Sequence, residues 1–179
     1  RIIALADALD YTPNAIARGL VKRQTHTLGL IIPDITNPFY PEVARGIEDA
    51  AAAAGYSIFL CNTNWERRRE RQYLGLLAEK RVDGVIIAPI DEQAGGVERA
   101  LPRGVPAVYV ANAPKDTRAS FVIIDNVRGG LLATEHLIQA GYRTVGFIGS
   151  PEDSATMEAR LAGYRRAMAE HGLPVLDRY

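Results

Sequence analysis

The strongest constraint on the fold is an alternation that repeats along most of the chain. Short apolar runs of strand length, beginning with LGLIIP at 28–33, alternate with longer segments whose apolar residues recur at helical spacing, beginning at 41–55. Strands that are apolar on both faces, separated by amphipathic helices, are typical of βαβ units. The sequence therefore predicts an α/β fold with a parallel sheet flanked by helices.

Six strands and five helices are predicted after residue 26. The strands are expected at 28–33, 56–61, 83–90, 105–111, 120–125 and 143–149, and the helices at 41–55, 66–81, 93–101, 127–141 and 154–172. Ligands of such sheets bind beyond the carboxyl ends of the strands. We therefore expect the functional residues in the loops that follow the strands.

The first 26 residues differ from the rest. RIIALADALDY is predicted as one helix, and Thr12 and Pro13 suit the start of a second, NAIARGL, of only about two turns. So short a helix is marginal on its own, and Gly19 weakens it further. Leu20 is a residue type that wedges between base steps in the minor groove. From the residues alone, two interpretations stay open: an interdomain linker or a DNA-contacting helix.

Composition and motifs argue against several classes of protein. Lys+Arg and Asp+Glu both number 21, so the net charge is zero, unlike that of a general polyanion binder. The single cysteine, Cys61, allows no intrachain disulfide and is expected as a buried thiol. No phosphate-binding glycine loop and no nucleophile elbow is present, so we predict neither an enzyme nor a bound cofactor or metal. Without a signal peptide or a membrane-length apolar run, a cytoplasmic protein is expected.

Six segments of the chain resemble the LacI/GalR family of transcriptional repressors. They are YTPNAIARGL, THTLGLIIPDITNPFY, ARGIEDAA, EKRVDGVIIAP, DNVRGGLLATEHLIQAGYRTVGFIG and ARLAGYRRAM, in the order of the family. The resemblance implies a periplasmic-binding-protein type I core, whose two lobes close on an effector. It implies that 1–26 are a short all-α headpiece remnant with hinge helix and linker, that 27–125 are the N-lobe, and that 126–179 are the crossover and the start of the C-lobe. The chain is then expected to be a piece of a longer protein.

The resemblance also implies operator DNA and a second copy of the chain, forming a homodimer, as partners. The DNA-contacting residues are then expected to be Asn14, Ala17, Arg18, Leu20 and Lys22. In a dimer the paired hinge helices lie in the minor groove, with Leu20 as the wedge and Ala17 facing the groove floor. Val21 departs from the family, which often has a basic residue at that position.

The effector implied by the resemblance is a sugar or a sugar-like metabolite. Its expected contacts are Phe39, Tyr40, Asp125, Thr156 and Arg160. Four of them have a structural alternative: core packing for the two aromatic residues, a role in the hinge for Asp125, and a solvated helix position for Arg160. By orienting the lobes, the effector is expected to change operator affinity in proportion to its differential affinity for the two states.

Two other classes of protein share part of this pattern. A periplasmic-type sugar-binding protein would have the same core without a hinge helix, so YTPNAIARGL argues against it. A sugar-transforming α/β enzyme would need a base and a nucleophile at the strand ends, which we do not find. If the chain stops within the C-lobe, residues such as Leu161 and Met168 are expected to lie exposed.

Overall fold

The computed structural model describes residues 24–90, 96–112, 119–149 and 155–176. The chain divides into two compact units between Val122 and Ile123. The predicted headpiece and hinge helices, with Asn14, Ala17, Arg18, Leu20 and Lys22, lie outside the described residues. No helix in the described ranges is long and apolar enough to cross a membrane.

The first unit is built on a five-stranded parallel sheet with the strand order β2-β1-β3-β4-β5. In chain order its elements are β1 (Thr27–Ile32), α1 (Phe39–Ala53), β2 (Ser57–Asn62), α2 (Arg67–Glu79), β3 (Gly84–Ile87), α3 (Gly96–Ala100), β4 (Ala107–Val110) and β5 (Ser120–Val122). Every neighbouring pair of strands runs parallel. The predicted α/β architecture is therefore confirmed.

Strand β1 lies between β2 and β3 and is buried on both faces of the sheet. Ile31 packs with Leu77 and Tyr109 on one face, while Leu30 and Ile32 belong to a separate cluster on the other. The alternation follows from the two-residue repeat of a strand, which points successive side chains to opposite faces. Full burial of each such side chain contributes about 1.5–3 kcal/mol, so this strand contributes to both cores at once.

Strand β5 is shorter than the sequence predicts. The run at 120–125 is apolar throughout, but the strand ends at Val122, which pairs with Val110, the last residue of β4. Ala111 then turns away with φ 66°, a left-handed conformation. Since β4 is the neighbour of β5 in the sheet, residues 123–125 have no partner there and the ladder stops.

The second unit contains the helices α4 (Asn126–Gln139) and α5 (Ala155–Glu170). The strand predicted at 143–149 is wrong, because these residues form no strand in the structure. A strand requires a neighbour to accept and donate its backbone hydrogen bonds, and the described residues of this unit contain no other strand. Ile148, the next-to-last residue of the run, is consequently 98% exposed.

The expectation that Met168 lies exposed is also wrong. Met168 is 1% exposed, in a cluster with Ile138 and Tyr164, and Leu161 is partly buried against the same cluster. Val145 of the non-strand segment packs there too. The segment therefore covers α5 through its side chains even though its backbone does not join a sheet.

The buried thiol predicted at Cys61 is confirmed. Cys61 is the one fully buried residue of β2. It is 6% exposed and lies in the same cluster as Ile31 and Leu74. Burial raises the pKa of the Cys61 thiol, since a low-dielectric environment disfavours the thiolate. The side chain acts as a small apolar residue of the core.

Replacing Gly29 should destabilise the first unit, because a Cβ at this position would overlap the buried side chain of Leu77. Overpacking costs about 1–3 kcal/mol, and Leu77→Ala alone costs about 2–5 kcal/mol through its cavity. In the double variant the new methyl group occupies part of that cavity. We therefore expect its loss of unfolding free energy to be smaller than the sum of the single losses.

This comparison can be made by urea unfolding followed through the fluorescence of Trp65. The chain has one tryptophan, and it lies in the first unit, so the signal reports on that unit. Strictly additive losses in Gly29→Ala, Leu77→Ala and the double variant would contradict the predicted contact.

Candidate functional site

The loop after β1 is fixed by hydrogen bonds at the carboxyl edge of the sheet. Asp34 Oδ1 accepts from the backbone N of Thr36 at 2.8 Å and from its hydroxyl at 2.7 Å. These bonds, led by the one from the hydroxyl, lower the pKa of the Asp34 carboxyl, which therefore stays ionised at neutral pH. Asn62, at the end of β2, accepts from the N of Ile35 at 2.8 Å and ties this loop to the neighbouring strand.

Two of the predicted effector contacts follow this loop, and the structure gives them different environments. Phe39 begins α1 and is 37% exposed, and its backbone N donates to Asn37 Oδ1 at 3.1 Å. Tyr40 is 6% exposed and packs in the cluster of Leu30 and Ile32. The two rings pack edge to face, with their centroids 5.1 Å apart. Phe39 can therefore contact a ligand, while Tyr40 supports it from beneath.

The loop after β2 carries an exposed aromatic ring on a strained backbone. Asn64 and Trp65 have φ values of 54° and 59°, although neither is glycine. Trp65 is 50% exposed, and its N donates to the carbonyl of Pro33 at 3.2 Å. Left-handed non-glycine residues cost about 1–3 kcal/mol each and occur preferentially at functional sites. This loop and the loop after β1 together present exposed aromatic rings, amides and an ionised carboxylate at one edge.

In the second unit, Asp125 and Asn126 organise the start of α4. Asp125 is the N-cap, and its Oδ1 accepts from the N of Arg128 at 2.9 Å, which satisfies a helix donor that would otherwise lack a partner. Asn126 Nδ2 donates to the carbonyl of Ile124 at 3.1 Å, and Asn126 Oδ1 accepts from Arg160 Nε at 2.9 Å. The carboxamide of Asn126 thus orients the Arg160 guanidinium.

A close crossing of α4 and α5 brings Arg160 to the start of α4. A Cβ on Gly130 would overlap the carbonyl of Arg160, and a Cβ on Gly163 would overlap the carbonyl of Val127. Because glycine has no side chain, the two helix backbones can approach this closely. The two glycines therefore set the position from which Arg160 reaches Asn126.

A surface pocket of about 420 Å³ lies beside Asn126 and Arg160 in the second unit. Asn126, Arg160 and Gly130 form its polar side, and Phe147 and Ile148 belong to its apolar side. Ligand pockets combine apolar walls with a few placed polar groups, and their volumes begin at about 300 Å³. The Nε of Arg160 is hydrogen-bonded to Asn126. The terminal N–H groups of the guanidinium can therefore donate hydrogen bonds to hydroxyl or anionic groups of a ligand.

Thr156 is half-buried in the first turn of α5, four residues before Arg160. Residues four apart lie on the same face of a helix. The structure therefore has Asp125 at the start of α4 and both Thr156 and Arg160 within the first two turns of α5. In the first unit, Phe39 and Tyr40 lie at the start of α1. Whether any of them contacts an effector stays a prediction.

The expectation that functional residues follow the strands covers Asn126 but not its pairing with Arg160, and sequence reasoning missed Gly130 and Gly163. A carboxamide after a strand is a recognisable signal, but its pairing with Arg160 spans 34 positions and depends on the helix crossing. The glycines in turn looked like ordinary helix residues. Within the described residues, no group of three or more His, Cys, Asp or Glu side chains could hold a metal ion.

Residues 25–179 match the family described as periplasmic binding proteins and sugar binding domain of LacI family. The chain is 37% identical over 180 aligned positions to catabolite control protein A of Priestia megaterium, covering 100% of this chain and 54% of that protein. It is also 37% identical over 181 positions to the ribose operon repressor of Escherichia coli K12, again covering 54% of the relative. The chain thus spans about half the length of the curated relatives it matches.

The fold is likewise similar to that of solved structures. A LacI family transcriptional regulator from Enterococcus faecium with bound ribose superposes with a TM-score of 0.73 at 31% sequence identity. The superposition covers 83% of this chain and 54% of that chain.

Gly130→Ala should loosen the α4–α5 crossing, because the added methyl group would collide with the backbone of Arg160 and force the helices apart. Gly129→Ala is the matched control, since a Cβ there meets nothing within 4 Å. Alanine at this control position should stabilise the helix by about 0.5–1 kcal/mol. We expect faster amide hydrogen exchange along α5 in Gly130→Ala only. Equal exchange in the two variants would contradict the crossing.

Proposed function

This chain belongs to the family of periplasmic binding proteins and LacI-type sugar-binding domains, and from that premise we propose that it serves a DNA-binding transcriptional regulator. In this proposal the chain carries the effector-binding core and the hinge segment that contacts operator DNA. A sugar or sugar-like metabolite controls operator affinity, and the regulator acts as a repressor. The domain bounds predicted at residues 26 and 125 are part of the proposal.

The observation that carries this proposal is the extent of the match to regulators. The family match begins at residue 25, whereas the similarity to catabolite control protein A covers 100% of the chain. The regulators therefore share the segment with Asn14 and Leu20, which precedes the sugar-binding core. A solute-binding protein for uptake needs the core but has no use for a DNA-contacting helix before it.

The proposed effector contacts follow from the chemistry of the two sets of residues. Arg160, oriented by Asn126, provides several donors for vicinal hydroxyls or a phosphate. Asp125 uses Oδ1 as a helix cap, and Oδ2 accepts no hydrogen bond from any described residue, so a hydroxyl can donate to it. Phe39 offers an apolar ring face of the kind that packs against a sugar. The ribose bound in the Enterococcus faecium relative makes a pentose the first effector to test.

The proposed homodimer is supported by apolar surface on the first unit. Phe59 and Leu60 lie on β2, an edge strand, and each is 49% exposed. An exposed apolar edge strand is prone to unwanted pairing, and natural proteins cover or charge such edges. A second copy of the chain would cover these side chains and bring two hinge segments together, as minor-groove binding by a helix pair requires.

Arg160→Ala should weaken sugar binding by roughly 10- to 150-fold, the equivalent of losing charged hydrogen bonds worth about 1.5–3 kcal/mol. Isothermal titration calorimetry of the complete gene product with D-ribose and a panel of pentoses, hexoses and their phosphates measures this loss. Arg165→Ala, which removes an exposed arginine from the same helix, should bind as the wild type does. Unchanged binding in Arg160→Ala would refute its role.

Leu20→Ala should abolish DNA kinking and most of the operator affinity, because the wedge that holds the base step open is removed. Lys22→Ala should instead lower affinity modestly and reduce the salt dependence by about one counterion. Fluorescence anisotropy with a labelled DNA site, selected from a random library by the complete gene product, distinguishes the two effects. The wedge assignment fails if Leu20→Ala keeps the wild-type dissociation constant.

A further inference from the structure

The chain enters the first sheet through a cluster of hydrogen bonds centred on one carboxylate. The backbone N of Thr25 donates to Asp83 Oδ1 at 2.9 Å and to Oδ2 at 3.1 Å, and the N of His26 donates to Oδ2 at 2.8 Å. The Thr25 hydroxyl lies 3.2 Å from Asp83 Oδ1 and 3.1 Å from the carbonyl oxygen of Arg81, and it can donate its one hydrogen to either of them. We call this set of contacts, made by Thr25, His26, Arg81 and Asp83, the Asp83 clamp.

Hydrogen bonds, and not burial, hold this segment in place. Gln24, Thr25 and His26 are all exposed, so hydrophobic burial contributes little there. Beside them lies a pocket of about 560 Å³ lined by Gln24, Asp83 and Arg103, among others, so this side of the segment is open. The side chain of His26 does approach that of Tyr56, and the centroids of the two rings are 5.3 Å apart. Removal of the Asp83 carboxylate would leave the backbone N of Thr25 and the N of His26 without these acceptors, and the segment would keep the bonds from the Thr25 hydroxyl to Arg81 and from Ser57 to the His26 carbonyl.

The backbone on both sides of the clamp is strained. His26 and Arg81 have φ values of 52° and 56°, in the left-handed region that non-glycine residues seldom adopt. Such conformations persist only where the surrounding contacts determine them. For His26 those contacts include the charge-assisted bond from its N to Asp83 Oδ2, which is stronger than a neutral one. Arg81 is the left-handed residue that ends α2, where the N of Arg81 donates to the carbonyl of Ala78 and the N of Val82 donates to that of Leu77.

The clamp lies at the amino end of the central strand. The N of Ser57, which begins β2, donates to the carbonyl of His26 at 2.9 Å, and the N of Asp83 donates to the carbonyl of Thr27 at 2.8 Å. The segment is therefore joined to both neighbours of β1. Its direction cannot change without breaking bonds to two strands.

We propose that Asp83 is the positioning residue that fixes the direction in which the segment before Gln24 leaves the core, and so couples the core to DNA. This inference rests on the proposed function. An ordered exit restricts the orientations that the DNA-contacting helix samples, and the entropy cost of binding DNA falls accordingly. It also transmits movements of the sheet to that helix. Asp83 itself contacts neither DNA nor effector in this role.

The test uses the complete gene product, with DNA sites that the wild type selects from a random library. Asp83→Ala removes both acceptor oxygens, and Asp83→Asn preserves size but replaces one acceptor with a donor that faces backbone N–H groups. Asp49→Ala removes an exposed carboxylate from α1 and is the matched control. Three quantities are measured: amide hydrogen exchange at Thr25 and His26, the DNA dissociation constant, and the midpoint of thermal unfolding.

In both Asp83 variants, the protection of the Thr25 and His26 amides against hydrogen exchange should fall at least tenfold. DNA affinity should fall about tenfold, because the segment must then be ordered when DNA binds. The midpoint of unfolding and the affinity for D-ribose or another bound sugar should stay at the values of Asp49→Ala. Wild-type DNA affinity in both variants would overturn the inference, as would a loss of DNA affinity that only tracks a lower unfolding midpoint. A wild type that selects no DNA at all would overturn the proposed function instead.

Discussion

The parallel pairing of β1 with β2 and β3 is the interaction on which the rest of the first unit depends. It brings Ile31 into one core and Leu30 and Ile32 into the other, so helices on both faces pack against the same strand. It also determines both ends of the sheet. At the carboxyl end, the loop after β1 is tied to Asn62; at the amino end, the incoming segment is tied to Asp83.

These two ends are suited to different tasks. The carboxyl edge presents exposed aromatic rings and a carboxylate whose pKa is lowered, which suits a polar ligand with an apolar face. The amino edge holds a short, exposed segment through charge-assisted bonds. The six residues of β1 separate the two ends by roughly 20 Å. One buried strand therefore connects a candidate effector surface with the segment that enters the sheet at Gln24 and that we propose continues from a DNA-contacting helix.

The sequence was sufficient to predict the elements whose patterns are local. The apolar runs at 28–33 and 56–61 gave strands close to their observed bounds, and the helix at 127–141 differs by only one or two residues at its ends. Where an element depends on a neighbour, prediction was less successful. The run at 143–149 has strand composition but no partner in its unit, and 123–125 extends beyond the end of β4.

The same distinction applies to the candidate site. Arg160 and Asp125 were found through resemblance, but the bond from Arg160 to Asn126 depends on two glycines that permit a close helix crossing. In the Asp83 clamp, Asp83 accepts hydrogen bonds from Thr25 and His26, which precede it in the chain by 58 and 57 positions. Nothing in the local sequence marks Asp83 as different from any acidic residue at a strand start. Contacts of this kind become visible only when the sheet aligns β1 with β3.

The most direct test of the account is the affinity of the complete gene product for its selected DNA site, measured with and without each sugar of a pentose, hexose and sugar-phosphate panel. The account predicts that the protein enriches a specific sequence and that at least one sugar changes its affinity by about 5- to 150-fold, the usual range of allosteric coupling. A protein that binds a sugar tightly and enriches no DNA sequence would contradict the account, and would identify the core as a solute-binding protein.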